Sequence, residues 1–369
     1  MRAVALDSLL GPAWASLAVT AIVQYVNFGD PGLAQESGMT SLKAMSATPD
    51  LAEANLARGL YHRTVTLQHD SALMYLRKAR ELAPGDASIS HFVASGFLTA
   101  GRLDEALAEA RRGAGLDPKN ASAVTRIVRV LLWLKRPQEA WDVHVPLRSL
   151  NPRLMPAFAW SEGSTARMAL GDLQSARAAV TTIPDASGRD QTVEFDITLE
   201  MVPQYVDDSL VVSRCARAGP AVLRETPWST QLICAESARR TGNGGRMRAE
   251  ADSAVGMLRT ALRENPQHFM RRQRLAWALL LAGDTTHALA EADTGLALRS
   301  IAADAVAGVT NARVYAQTAA MAGDARRAVP VLRELLTKHS PITVAWLRND
   351  PMYDRIRNDS AFKALVARP

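Results

Sequence analysis

From Asp86 onward, apolar residues recur every three to four positions, the spacing of a helix with one buried face. Val93, Ala94 and Phe97 share a face of a first helix, and Gly101-Arg102 makes a turn. Leu103, Asp104, Glu105 and Ala106 open a second helix. Its stripe continues at Ala110 and Gly113, and Leu116-Asp117-Pro118 ends it. The pattern then restarts. Ile127, Val128 and Leu131 form a first-helix face, Lys135-Arg136-Pro137 turns the chain, and Ala140, His144 and Leu147 form a second stripe closed by Leu150-Asn151-Pro152. β-branched residues rarely alternate with polar ones, so strands are not expected.

The same grammar lies on both sides of these units. Upstream, Gly59 precedes Ala72, Leu76, Ala79 and Leu82-Ala83-Pro84. Downstream, Gly171-Asp172-Leu173 precedes Ala176, Val180 and Ile183-Pro184. Near the C-terminus Leu275, Ala276, Leu279, Gly283-Asp284, Ala288, Ala292 and Gly295 form one unit. Tyr315, Ala316, Ala319, Gly323-Asp324, Ala328, Leu332 and Leu335 form another. The period is about 34 residues, the length of a helix–turn–helix repeat. Small residues fall where two helices cross, which allows axes to approach within ~8–10 Å.

These positions resemble the tetratricopeptide repeat family, over 50–183 and 268–336 most clearly and over 1–49 more weakly. The resemblance implies an all-α fold, a right-handed α-solenoid of antiparallel helix pairs with a concave groove. Arg58 and His62 depart from the aliphatic and aromatic residues usual at their positions, and Pro146 falls inside a second helix. Local distortion is expected at both places. Three arrays of residues follow: an N-terminal array over 1–184, a degenerate repeat or linker over 185–226, and a C-terminal array with a cap over 227–369. Within the linker, Ala186-Ser187-Gly188 and Ala218-Gly219-Pro220 read as loops. Val193 to Val206 and Asp208 to Arg217 read as a divergent helix pair.

Composition supports helices. Apolar residues make up 48% and aromatics 5% of 369 residues, enough for a large core and rich in good helix formers. The net charge of +6 comes from scattered arginines rather than a polybasic tail, a weak pointer to nucleic acid or anionic surfaces. Residues 8–29 carry no charge. A signal or membrane segment would account for them, and so would a buried repeat helix, which Asp7, Pro12 and Gln24 favour. Membrane association and compartment therefore stay open, with the cytoplasm favoured. Cys215 and Cys234 are not in a CxxC arrangement, so a single disulfide or two packed thiols fit equally.

Catalytic signatures are missing. The chain has no GxGxxG, HRD or DFG, and His62-Arg63-Thr64 lacks the aspartate of a kinase catalytic loop. Gly242-Asn243-Gly244-Gly245 lacks the Lys and Ser/Thr of a phosphate loop and reads as a turn between helices. No HExxH or zinc spacing occurs among the histidines, and His144 reads as a packed core residue. No catalytic residue, metal, cofactor or small-molecule substrate is predicted.

Two surfaces carry a functional reading. His91, Ser95 and Thr99 recur every fourth residue on one first helix, and Thr125, Arg129 and Trp133 do so on the next. In the resembled family this surface faces the groove, where polar groups meet a peptide backbone and an aromatic anchors it. His91 would lend pH sensitivity near neutrality. The second surface is the basic region Arg239, Arg240, Arg246, Arg248, Arg259, Arg263, Arg271, Arg272 and Arg274. It suits phosphate, nucleic acid or an acidic peptide, although aromatic residues for base stacking are sparse there.

A second resemblance rests on Ala251-Asp252-Ser253-Ala254, Ala345-Trp346-Leu347-Arg348-Asn349-Asp350-Pro351 and Arg357-Asn358-Asp359-Ser360-Ala361-Phe362. These look like the C-terminal repeat region of bacterial multidomain signalling proteins, whose kinase or DNA-binding domain precedes the repeats. Val4-Ala5-Leu6-Asp7 reads as the tail of an earlier second helix. The expected function is a non-enzymatic scaffold that binds a protein or peptide segment. A nucleic-acid-associated regulator is the first alternative and a cryptic enzyme the second. Over 341–369, Trp346, Leu347, Tyr353, Ile356, Phe362 and Leu365 are expected to cover the last repeat. Arg348, Asp350, Arg355 and Asp359 are expected to face water.

Overall fold

A computed structural model describes residues 9–149, 157–181 and 228–367. The expectations for Val4–Asp7, Leu150-Asn151-Pro152, Ile183-Pro184, the segment 185–226 and Cys215 lie outside these residues. Among the described residues there is no strand, and no helix is long and apolar enough to cross a membrane. Contacts divide the chain into two compact units, 1–130 with Ala303–Val306 and 131–302 with 307–369.

The first unit contains α1 (Gly11–Phe28), α2 (Pro31–Ala47), α3 (Ala52–Tyr61), α4 (His69–Leu82), α5 (Ala87–Thr99), α6 (Leu103–Leu116) and most of α7 (Ala121–Trp133). Successive helices pack as hairpins: α1 on α2, α3 on α4, α5 on α6. Connections this short force antiparallel neighbours. The uncharged stretch 8–29 forms α1, with Ala15, Ala18, Ala21 and Ile22 buried. Ala15 and Ala18 meet Ala44, Ala54 and Ala57 in an alanine-lined crossing, as close helix axes require. Gly59 and Gly96 serve the same end. A Cβ on Gly59 would lie 2.7 Å from Leu76 Cγ, and one on Gly96 would lie 2.6 Å from its Cδ1. Leu76 therefore fills the space that both glycines leave open.

The predicted distortion at Arg58 and His62 is a change of helix type. α3 runs directly into a single π turn, His62–Thr66, and the chain leaves it through Leu67 at φ 55°. His62 stacks on Tyr75 at 5.6 Å, and Arg58 lies over the Tyr61 ring at 5.0 Å. The unusual residues thus build their own packing.

The second unit contains α8 (Pro137–His144), α9 (Ala157–Ala169), α10 (Leu173–Thr181), α11 (Trp228–Arg240), α12 (Gly244–Glu264), α13 (Phe269–Ala282), α14 (Thr285–Leu298), α15 (Ala307–Met321), α16 (Ala325–Thr337), α17 (Val344–Asn349) and α18 (Ser360–Ala367). The hairpins α9–α10, α11–α12, α13–α14 and α15–α16 repeat the arrangement. Each unit is thus an α-solenoid segment of tetratricopeptide type. Pro146 ends α8 early, and the backbone continues as a 3-10 turn over Val145–Ser149. His144 is fully buried against Gly163, where a Cβ would lie 2.3 Å from its Nε2.

The recurring Gly-Asp pair has a physical basis. Gly283 and Gly323 take φ 97° and 81° to end one helix. The following aspartates cap the next: Asp284 accepts from His287 N–H at 3.2 Å and Asp324 from Arg327 N–H at 3.0 Å. At the α7–α8 turn the equivalent position is Lys135, at φ 57°. Its ammonium donates to the carbonyls of Ile342 at 2.7 Å and Leu335 at 3.2 Å. These bonds offset the left-handed backbone that glycine would adopt without cost.

The C-terminal segment forms the expected cap. Trp346, Leu347, Tyr353, Ile356, Phe362 and Leu365 are all buried, and α18 packs on α16 above Leu332 and Leu335. One expectation needs correcting: Asp350 does not face water. It is fully buried and accepts from Trp346 Nε1 at 2.9 Å, Met352 N–H at 2.9 Å and Gln317 Nε2 at 3.3 Å. The aspartate caps the 3-10 turn Pro351–Ile356, and its burial follows from that geometry. Burial outweighs these donors and raises its pKa.

Candidate functional site

The polar face of α5 is set by helical spacing. His91, Ser95 and Thr99 follow at every fourth residue, so all three lie along one side. The π turn after α3 places Arg63 beside them. A π turn re-aims the side chains it carries, and Arg63 Nη1 donates to Ser95 Oγ. Burial lowers the Arg63 guanidinium to about 10, while the Asp304 carboxylate pulls it back up. The arginine stays charged at neutral pH.

His91 is the second fixed group. Arg126 Nη2 lies 3.0 Å from its Nε2. An arginine can only donate, so Nε2 accepts and the ring proton sits on Nδ1. Burial, then the charges of Arg126, Arg63 and Arg129, push the His91 pKa down to about 3. His91 is therefore neutral throughout the physiological range, and the pH sensitivity expected of it near neutrality is not supported. The same neighbours make this face electropositive.

The segment Ala303–Val306 lies on this unit. Two of its contacts use its own backbone atoms. Ala303 carbonyl accepts from His69 Nε2 at 2.9 Å, and Ala305 N–H donates to the Thr99 carbonyl at 3.1 Å. The Thr99 carbonyl closes α5, where the last helical carbonyls lack partners inside the helix. Between these two bonds sits Asp304, 7% exposed, whose Oδ1 accepts from Val306 N–H at 2.8 Å. Gly101, at φ 74°, turns the chain beside the segment, with the position of a Cβ there 3.8 Å from the Ala305 methyl, an ordinary contact distance.

The structure brings together part of the predicted surface. His91, Ser95, Thr99 and Arg129 belong to one electropositive neighbourhood in the first unit. Thr125 is buried, 1% exposed, and its hydroxyl donates to the Ala121 carbonyl at 2.7 Å. Trp133 is 6% exposed and falls in the second unit. Arg63, His69, Arg126 and Asp304 were missed. As sequence, His62-Arg63-Thr64 points only to a kinase motif that lacks its aspartate. Nothing in the sequence relates Asp304 to residues more than two hundred positions earlier.

The basic region in the second unit is largely occupied by its own neighbours. Arg239 pairs with Glu236 at 2.7 Å, Arg272 with Glu291 at 2.7 Å and Arg246 with Glu250 at 3.6 Å. Arg271 donates to the Ala261 carbonyl at 3.1 Å and lies over the Trp228 ring. Among the described residues no three His, Cys, Asp or Glu side chains stand where they could hold a metal ion. Cys234 is buried on α11 and disulfide-bonded.

The geometry defines a tetratricopeptide-like helical repeat protein with a polar, positively charged face on α5 of its first unit. No family model matches the chain, and no curated protein matches it. Similar solved structures exist at low identity. One is a human IFIT1 dimer with m7Gppp-AAAA, at 12% identity over 80% of this chain and 65% of that one, with a TM-score of 0.47. Another is YrrB, a TPR protein with an unusual peptide-binding site, at 15% identity over 60% and 91%, with a TM-score of 0.27. A third is a Thermobaculum terrenum O-GlcNAc transferase mutant, at 19% identity over 37% and 26%, with a TM-score of 0.32. This chain spans about a quarter of that transferase chain and just under two thirds of the IFIT1 chain. The fold assignment rests on the helix pairs themselves.

Proposed function

We propose that the protein is a non-enzymatic repeat scaffold that binds a protein or peptide segment through the α5 face of the first unit. The observation that carries this reading is the alignment of His91, Ser95 and Thr99 on one helix side with Arg63, Arg126 and Arg129 around them. Such a face offers charge-assisted donors to carboxylates and backbone carbonyls. The docking or sensory arm of a bacterial signalling system is the cellular role we assign to it, on the sequence stretches alone. The pairing of Arg239, Arg246 and Arg272 with acids weighs against the nucleic-acid alternative.

Panning a random-peptide library on the protein tests the proposal. Enriched peptides should carry a carboxylate and should lose roughly tenfold in affinity on Arg129→Ala, as removal of one charge-assisted contact costs. Recovery of no peptide, or of peptides that bind the variant equally well in fluorescence polarisation, would remove this face from consideration. A steep salt dependence of RNA or DNA binding would favour the alternative instead.

A further inference from the structure

We infer that the segment Ala303–Val306 is a resident ligand of the first unit. It occupies a seat for a small–Asp–small turn that a partner protein presenting the same turn would compete for. This deepens the scaffold reading above and rests on it.

The contacts have the form of peptide recognition rather than of core packing. Two bonds use main-chain atoms of the segment, the Ala303 carbonyl on His69 and the Ala305 N–H on Thr99. They lie two residues apart and fix the register of whatever occupies the seat. The residue between them is the acid, buried and within the field of Arg63. Alanine on both sides presents only methyl groups, and the second lies within contact distance of the Gly101 turn. The Asp304 carboxylate also closes its own turn through Val306 N–H, so the occupant arrives pre-ordered and loses little entropy on docking. Any sequence with small–Asp–small–small in a turn satisfies the same three demands.

The seat side is equally specific. His69 must donate, Thr99 must offer an otherwise orphan helix-end carbonyl, and Arg63 must be held by Ser95 so that its charge faces the acid. The π turn that delivers Arg63 is a departure from the repeat pattern, as such turns often are at binding sites. Because the occupant is part of the same chain, its effective concentration is on the order of mM. An outside turn must outcompete that, so the seat is available only to partners of good fit or high local concentration.

The test uses the full chain and a backbone-cyclised peptide of residues 300–307, Ser-Ile-Ala-Ala-Asp-Ala-Val-Ala. It should bind the wild type weakly and Asp304→Lys at least tenfold more tightly, because that substitution unseats the resident segment. The peptide with lysine in place of its aspartate should bind neither, and Arg63→Met introduced beside Asp304→Lys should abolish the gain. In hydrogen exchange the Ala305 amide should be protected in the wild type and lose protection at saturating peptide. Should Asp304→Lys fail to fold, the exchange measurement on the wild type decides alone. Equal affinity for both proteins, or an Ala305 amide unmoved by millimolar peptide, overturns the inference. If library-selected peptides still bind through Arg129, the scaffold reading then survives. If no peptide of any kind binds, both fall together.

Discussion

The α5 face of the first unit and the C-terminal cap of the second meet the same need by opposite means. Each holds a stretch of chain against the helices of its own unit. The cap does so with apolar bulk: Trp346, Tyr353 and Phe362 are each 2% exposed or less, and Tyr353 and Phe362 pack ring to ring at 5.9 Å. The α5 face, with His69 of α4, does so with polar atoms: two hydrogen bonds to the segment's main chain and a buried acid within the field of Arg63. Apolar burial is non-directional and large, so the cap holds tightly and tolerates no exchange. Hydrogen bonds trade against water at a net of about 1 kcal/mol each, so the seat is specific and replaceable. Permanence and exchange are thus assigned to different chemistry in one chain.

The largest expected effect falls on the cap. Phe362→Ala or Trp346→Ala should cost about 3–5 kcal/mol, the usual loss for a fully buried aromatic. Removal of residues 341–369 should bare Leu332 and Leu335 and cause aggregation. Urea melts and light scattering measure both. A soluble truncation of unchanged midpoint would erase the contrast. A smaller effect is expected from Ala106→Trp in the first unit, where Ala106 is fully buried. Overpacking there should cost roughly 1–3 kcal/mol, with loss of amide protection confined first to α5 and α6. Uniform loss across both units would contradict nearest-neighbour stacking.

The repeat array was legible because it depends on local spacing. Gly283-Asp284 and Gly323-Asp324 announce a left-handed helix end followed by a cap, and the helices start where the aspartates stand. The cap was legible for the same reason, since Tyr353 and Ile356, and Phe362 and Leu365, stand three residues apart within their short helical turns. Asp350 was misplaced because sequence spacing reports which face a residue occupies, not whether a turn's own N–H groups will draw it inward. The seat was only half legible. Ser95 and Thr99 declare a polar helix side. Arg63 reaches them by a change of helix type, and Asp304 by a long-range contact that no window of sequence contains.

The smallest effect sharpens the comparison through acid. His91 titrates in the folded first unit at about 3, against 6.5 in a free histidine. Its neutral form is the folded one, so its contribution is complete above about pH 6.5 and declines as pH falls toward 3. Asp350 is shifted the other way. Its contribution is complete below the ordinary aspartate range and declines as pH rises through its raised value. Acidification from pH 7 to 4.5 should therefore loosen α5 while leaving the cap firm, read as site-resolved hydrogen exchange. His91→Phe should flatten the response of α5, and Asp350→Asn that of the cap. Parallel responses in both regions would show that neither group controls its surroundings.

Lys135 carries a consequence for how the chain assembles. Each helix hairpin closes a short loop, which forms quickly and can proceed as the polypeptide emerges. The bond from Lys135 to Ile342 spans 207 positions, and that from Thr343 Oγ1 to the Ala169 carbonyl spans 174. Neither can form until Ile342 and Thr343 have been synthesised. The turn at Lys135, with its left-handed backbone, must therefore wait for a partner made 207 positions later. The hairpins can form in the order in which they are made, but the contacts that secure this turn belong to residues made some two hundred positions later.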